Sequence, residues 1–291
     1  MKNVFTFLLL LFSLLCNGQS PKLFTTDKEL SSSLINQIYQ DRNGFIWIAT
    51  EDGLNRYDGA KFTIYKHEPN NEHSLAHNFV RTVFEDSKGH LLIGTYIGIQ
   101  MYDPATDNFT PLAKLEDTGE TLESNINSFI ERKNGEIWVS GNVLCKLDIK
   151  DHLLTVRKVD IAVTSPGSLF EDKKQNVWMA KGEEGVYQLT PDNQLTLHLS
   201  KDNGYVKSIC EDQRGNIYVG SIRKGLFIYD KERKTFVPID LKEKGELPVC
   251  FLYSGIPNEL YIGTDGKGVV IYNIRTHEIS EYKFDNNYFD S

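Results

Sequence analysis

Apolar and polar residues alternate along this chain in short runs, and each run is bounded by Gly, Asp, Asn or Ser. A period of two is the mark of a half-buried strand, whose successive side chains point to opposite faces. The stretch from Ile35 to Tyr65 shows the pattern once. Ile35, Ile38 and Tyr39 predict a first strand. Asp41-Arg42-Asn43-Gly44 predicts a tight turn, because Asp caps its own turn backbone and Gly tolerates positive φ. A second strand over 45–49 follows, then a turn at Glu51-Asp52-Gly53, a third strand over 54–57 ended by Asp58-Gly59, and a fourth over 62–65. Turns at this spacing indicate an antiparallel meander and not βαβ units. No stretch carries a convincing helical period.

The unit recurs six times. Its heart, Asp41-Arg-Asn-Gly44-Phe-Ile-Trp47-Ile-Ala-Thr50, returns as Asp86-Ser-Lys-Gly89-His-Leu-Leu92-Ile-Gly-Thr95, then as Lys133-Asn-Gly135-Glu-Ile-Trp138 and Asp172-Lys-Lys-Gln-Asn-Val-Trp178. The last two copies are Asp212-Gln-Arg-Gly215-Asn-Ile-Tyr218-Val-Gly-Ser221 and Asn258-Glu-Leu-Tyr261-Ile-Gly-Thr264. Positions 47, 92, 138, 178, 218 and 261 are spaced by 45, 46, 40, 40 and 43 residues, the period of a propeller blade. One four-stranded sheet cannot bury both faces, so neighbours stack, and radial closure removes the long edges. The expected fold is an all-β propeller of six four-stranded antiparallel blades, with repeats near 31–67, 76–113, 122–157, 165–199, 203–239 and 246–284.

The repeat decides which residues are construction. Trp47, Trp138 and Trp178 resemble sugar-stacking platforms, but they share one repeat position with Leu92, Tyr218 and Tyr261, so they read as core between blades. The Asp-x-x-Gly turns lack the length and downstream acidic ligands of a calcium loop. The glycine-rich segment Gly263–Gly268 lies between two strands, without the helix N-terminus that holds a phosphate. His73 and His77 share a loop without acidic or Cys partners at ligand spacing, which reads as a solvated loop. No metal or cofactor is expected.

Composition adds location and excludes partners. Net charge is −8, with no uninterrupted basic run longer than two residues, which argues against nucleic acid or anionic lipid as the partner. Lys2 followed by an apolar run from Val4 to Leu15, with Cys16 and Gly18 as small residues, predicts a secretory signal over 1–18 cleaved before Gln19. Leu15-Cys16 also admits a lipid-modified chain, although Leu14 and Leu15 are bulky for that signal. No later stretch is apolar enough to insert in a membrane. Cys145, Cys210 and Cys250 remain, an odd number that excludes a full disulfide framework. A Cys210–Cys250 pair and three small buried apolar residues are both open readings.

The string from Asn36 to Gly59, NQIYQDRNGFIWIATEDGLNRYDG, resembles a two-component regulator propeller repeat, and the likeness extends over about residues 30–284. The first, second and fifth copies match best; the third and fourth have lost parts of the Gly-Thr and Tyr-Asp elements. The resemblance implies the periplasmic sensor region of a hybrid two-component system, a family whose members detect carbohydrate breakdown products ahead of a second propeller, a β-sandwich and a histidine kinase. It also implies a ring that commonly has seven blades. A strand around Leu23-Phe24 that joins the last blade would close the ring, and a missing blade is the equal alternative. No kinase segment occurs in this sequence, which reads as a fragment or a stand-alone remnant, without enzymatic activity of its own.

Second-to-third turns and inter-blade loops of a meander emerge on one face. There the copies differ: Asp52, Tyr96, Asn142, Glu183, Arg223 and Asp265 stand at the variable turns, and the loops 68–78 and 110–124 are long. Variable residues on a repeating framework are where a site is grafted. Arg223 with Tyr96 and acidic neighbours is expected to hydrogen-bond and stack an oligosaccharide. A protein-interaction scaffold using the same face is the alternative reading. A propeller lyase or glycosidase is the remote one, since the carboxylates sit mainly in recurring turns rather than as a catalytic pair.

Overall fold

The computed structural model describes residues 24–26, 29–199, 204–241 and 247–282. The leader over 1–18, its cleavage point and Leu23 lie outside the described residues. All described regular structure is β, arranged as six sheets. The first holds β1 (Ile35–Gln40), β2 (Ile46–Thr50), β3 (Gly53–Tyr57) and β4 (Phe62–Tyr65). The second holds β5 (Val80–Glu85), β6 (Leu91–Thr95), β7 (Ile99–Asp103) and β8 (Asn108–Phe109), and β9 (Lys114–Leu115) follows it. The third holds β10 (Ser128–Glu131), β11 (Ile137–Ser140), β12 (Leu144–Lys150) and β13 (Leu153–Lys158). The fourth holds β14 (Leu169–Glu171), β15 (Val177–Lys181), β16 (Gly185–Leu189) and β17 (Leu195–Leu199). The fifth holds β18 (Val206–Glu211), β19 (Ile217–Ser221), β20 (Gly225–Asp230) and β21 (Thr235–Pro238). The sixth holds β22 (Val249–Tyr253), β23 (Glu259–Thr264), β24 (Val269–Asn273) and β25 (Ile279–Tyr282).

Within every blade the strands pair in chain order and antiparallel. The first strands of consecutive blades pack on one another, β1 on β5, β5 on β10, β10 on β14, β14 on β18 and β18 on β22. A shift of register recurs near the start of β1, β5, β18 and β22. Such a bulge bends and twists a strand locally.

The core is divided by blade interface. Five clusters of buried side chains fill the five junctions between consecutive blades: Trp47 and Leu54 with Val80 and Val83, Leu92 and Ile99 with Phe129, Trp138 and Leu144 with Leu169, Trp178 and Val186 with Ile209, and Tyr218 and Leu226 with Leu252. The Trp47 position is thus core in each of these junctions, as its recurrence predicts.

Two details depart from the simple repeat. The third sheet has a fifth strand, because β9 pairs in parallel with β13, Lys114 opposite Thr155 and Leu115 opposite Val156. Part of the long loop 110–124 therefore pads the outer edge of the third blade. Of the strand expected at Leu23-Phe24, Phe24 alone is described, and it does not join the last blade, whose sheet runs β22-β23-β24-β25. Phe24 is not in a strand, and its ring packs 5.0 Å from Phe62 and 5.1 Å from Tyr57 at the outer part of the first blade. Burial of an aromatic ring against two others is the stronger local attraction.

Candidate functional site

The two ends of the blades are built differently. At one end lie the Asp turns. Asp41 Oδ1 accepts the backbone N–H groups of Asn43 and Phe45, both at 3.0 Å, while Oδ2 accepts the indole N–H of Trp47 at 2.8 Å. Asp172 does the same for Lys174, Asn176 and Trp178, and Asp212 for Arg214, Asn216 and the Tyr218 hydroxyl. One buried carboxylate thus closes the turn and satisfies the only polar atom of the core aromatic, which is why Asp and Trp recur at a spacing of six. The third blade has Arg132 in place of Asp. There Glu136 takes over: its Oε2 accepts the Trp138 indole N–H at 3.0 Å, Lys146 bonds Oε1, and Arg132 lies over the Trp138 ring at 4.6 Å. Burial alone would raise the Glu136 pKa, but the hydrogen bonds from Lys146, Trp138 and Asn134 outweigh it and bring it down to about 2.

This end also carries a zipper between blades. The residue after each turn's first position gives its backbone N–H to a glutamate of the next blade: Arg42 to Glu85, Ser87 to Glu131, Lys133 to Glu171 and Lys173 to Glu211, at 2.6–3.1 Å. Burial raises the Glu211 pKa against the bond from Lys173. A shallow hollow of about 740 Å³, lined by residues including Tyr39, Arg42, Glu85 and Glu131, lies here, but its polar groups hold neighbouring blades together.

The other end carries the variable residues. Thr50, Thr95 and Thr264 close the second-to-third turns by donating to the carbonyls of Gly53, Gly98 and Gly268. Backbone bonds then tie these turns to the inter-blade loops: Gly53 to Asn78, Tyr96 to Phe79, Ile222 to Tyr205 and Asp265 to Pro248, at 2.7–3.1 Å. Turns and connectors therefore do share one face.

The six sequence-selected residues fall into separate groups on that face. Asp52 pairs with Lys66 at 2.6 Å and accepts from Asn78 Nδ2 at 3.0 Å, so it anchors its own loop. Tyr96 is 54% exposed, with the His77 ring at 5.6 Å and the Phe79 ring at 6.1 Å; the Arg81 guanidinium lies over Phe79 at 5.7 Å. Asn142 lines a hollow of about 730 Å³ together with Lys114, Glu120, Glu123 and Lys158. Arg223 pairs with Glu183 at 3.0 Å, both exposed. Tyr205 stands beside that pair, close enough to Gly182 that a Cβ there would lie 2.9 Å from its ring. Asp265 is exposed on the second-to-third turn of the sixth blade, its N–H bonded to the Pro248 carbonyl at 3.1 Å.

Arg223 is thus brought to Glu183, whereas Tyr96 belongs to a cluster with His77 and Phe79. Phe79 and Tyr205 were missed in the sequence, and His77 was read only as part of a solvated loop, because all three lie in connectors, outside the recurring framework. The aromatic residues Phe79 and Tyr205, bonded through their carbonyls to the turns at Tyr96 and Ile222, were the available signal. His77 Nδ1 accepts the Phe79 N–H at 2.9 Å and His73 Nδ1 lies 3.2 Å from the Phe109 carbonyl. Among the described residues no group of three or more His, Cys, Asp and Glu could hold a metal ion. Cys145, Cys210 and Cys250 are free thiols, the first two buried and the third half-buried, so Cys210 and Cys250 are not bridged.

Stacked four-stranded blades, one end zipped by carboxylates and an opposite end of variable loops define a β-propeller. Residues 29–52, 74–96 and 200–223 match the model of the two component regulator propeller family. It is 37% identical over 83 residues to Histidine kinase P4 of Formosa agariphila, a stretch that covers 26% of this chain and 6% of the kinase. Its fold is similar to the extracellular domain assigned to a hybrid two component system of B. thetaiotaomicron, with a TM-score of 0.76 and 21% identity, over 92% of this chain and 37% of that one. A catalytically inactive virginiamycin B lyase from Staphylococcus aureus shares the fold at a TM-score of 0.68 and 12% identity, over 92% of this chain and 89% of the lyase. The chain therefore spans well under half of the kinase and of the extracellular domain it resembles.

Proposed function

We propose that this chain is the ligand-binding propeller of a periplasmic sensor region, delivered by the leader over 1–18, and that it detects an oligosaccharide on its loop face. The single observation that carries the reading is the exposed Tyr96 ring, held by His77 and Phe79 beside Arg81 on the face where the repeat varies. An aromatic face takes the apolar C–H side of a pyranose, and neighbouring guanidinium and imidazole groups take its hydroxyls. The Glu183–Arg223 pair with Tyr205 offers a second polar and aromatic station on the same face. Occupancy would be read by further sensor and kinase regions or a second propeller, which fits the likeness to a histidine kinase and to extracellular domains of two component systems.

A glycan library screened by thermal shift, followed by calorimetry on any hit, tests this. A saturable shift without turnover is expected, and Tyr96→Ala should weaken binding about tenfold, roughly 1.4 kcal/mol. Unchanged affinity in a Tyr96→Ala, Arg223→Ala double variant, or no shift with any glycan, rejects the oligosaccharide and leaves the face to a protein partner.

A further inference from the structure

The first strand of each blade is the inner edge of its sheet, since the first strands of consecutive blades pack on one another. Four of these strands carry the register shift described above, just after the connector that enters from the loop face. The residue that the shift leaves out of the ladder is Asn36 in the first blade, Arg81 in the second, Lys207 in the fifth and Cys250 in the sixth. All four therefore stand near the propeller axis at the level of the loop face. Asn36 shows how such a side chain is used: its Nδ2 donates to the Val80 carbonyl of the next blade at 2.8 Å. These positions hold two cations and no carboxylate, on a chain whose net charge is −8.

Neither cation is neutralised. Among the described residues Arg81 and Lys207 enter no ion pair and no hydrogen bond, whereas Arg42, Arg56, Arg132, Arg157, Arg223 and Arg233 each pair with Asp or Glu. Arg81 is half-buried, with its guanidinium 5.7 Å over the Phe79 ring, and Phe79 in turn adjoins the exposed Tyr96. The carboxylates of this face are engaged elsewhere, Asp52 by Lys66 and Asn78, and Glu183 by Arg223. Asp265 and Lys207 act on the Cys250 thiol in opposite senses, so Asp265 offsets part of the Lys207 charge and Arg81 is the stronger station. A partly desolvated guanidinium without an acceptor is unfavourable in the empty protein. It becomes favourable when an anion arrives.

We propose that Arg81 anchors an anionic group of the ligand, a carboxylate or a sulfate ester on the sugar, so that the propeller selects acidic over neutral oligosaccharides. The inference rests on the reading of Tyr96 as the stacking platform. Phe79 holds the guanidinium plane beside that platform, and the fork of N–H donors fits two oxygens of either anion at once. Lys207, a point charge at the same repeat position, adds to the positive field that draws the ligand to this face.

Calorimetry with matched pairs tests this: an oligogalacturonate against its methyl ester, and a sulfated galactan oligosaccharide against its desulfated form. The charged member of one pair should bind at least about tenfold more tightly than its neutral partner, and which pair responds tells carboxylate from sulfate. That advantage should shrink as salt rises from about 50 to about 300 mM. Arg81→Gln should abolish both the advantage and its salt dependence, Arg81→Lys should keep part of it, and Lys207→Gln should reduce it about twofold. All three variants should keep Tm within about 2 °C, since neither side chain holds a bond in the fold. Should Arg81→Gln unfold the chain, Arg81→Lys and the salt dependence of the parent decide. Equal binding of both members of each pair, or binding of neutral glycans alone, overturns the inference and leaves the Tyr96 reading standing. Absence of binding to every glycan rejects both. An Arg81→Gln variant that loses more than about 5 °C in Tm yet keeps the preference makes Arg81 a prop for Phe79 and also overturns the inference.

Discussion

The fourth blade allows the Asp–Trp element to be tested at one atom. Asp172 is 5% exposed and accepts four hydrogen bonds: the backbone N–H groups of Lys174 and Asn176 at 2.9 Å on Oδ1, and Asn176 Nδ2 at 2.8 Å and Trp178 Nε1 at 2.9 Å on Oδ2. Asp172→Asn keeps the shape. Its carbonyl can still close the turn, but its amide nitrogen then faces two donors, and the buried indole N–H loses its acceptor. An orphaned buried donor costs about 1–3 kcal/mol. With the second donor and the lost charge-assisted bonds, a loss of about 2–4 kcal/mol is expected, with a fall in Tm of roughly 5–12 °C for a domain of this size. Urea denaturation of Asp172→Asn, Trp178→Phe and the double variant measures the coupling. Removing the indole N–H should relieve part of the Asn penalty, so the cycle should return about 1–2 kcal/mol between the two sites. A neutral Asp172→Asn, or strictly additive losses, would refute the reasoning that the carboxylate serves the aromatic as well as the turn.

Two further outcomes follow from particular residues. Glu136 has its folded pKa held at about 2, below the ordinary value of 4.5, so its contribution to stability is complete above pH 4.5 and is lost as pH falls toward 2. Acid titration of stability should therefore be flatter for Glu136→Gln than for the parent in that window, with the variant less stable at pH 7; parallel curves would show that the carboxylate is not held by its partners. Gly185 has φ +123°, and a Cβ there would lie 1.4 Å from the Leu199 carbonyl, while Gly44, at φ +88°, has open space around the same point. Gly44→Ala should lose only about 1–2 kcal/mol of backbone conformational energy, whereas Gly185→Ala should expel β17 from the fourth sheet, seen as loss of amide protection over 195–199; similar losses for the two would contradict the close approach.

The meander was legible because its information is local. Alternation of period two, Asp and Gly at turns and a 40–46-residue period are properties of short segments, so β1 to β4 were readable residue by residue. The Trp47 position was legible as core because recurrence alone separates construction from site. The second acceptor oxygen of Asp41, used by Trp47, was not legible, since it depends on how the second strand folds back over its turn. In the third blade Arg132 stands where the other turns have Asp or, in the sixth, a different turn, and the structure shows Glu136 supplying the acceptor four residues on.

The sequence by itself determined the blade, the number of copies and the face on which variation collects, because each follows from side-chain period and turn chemistry within about 40 residues. Only the tertiary structure decided which variable residues meet. Arg223 went to Glu183 of the preceding blade's turn and Tyr96 to His77 and Phe79 of the connector before its blade, since both meetings are set by how blades stack. It also decided that Phe24 rests on the first blade, and that Ile38, apolar in sequence like its five equivalents, stands in solvent. Whether an apolar residue is buried depends on the blade that faces it, and no local pattern records that neighbour.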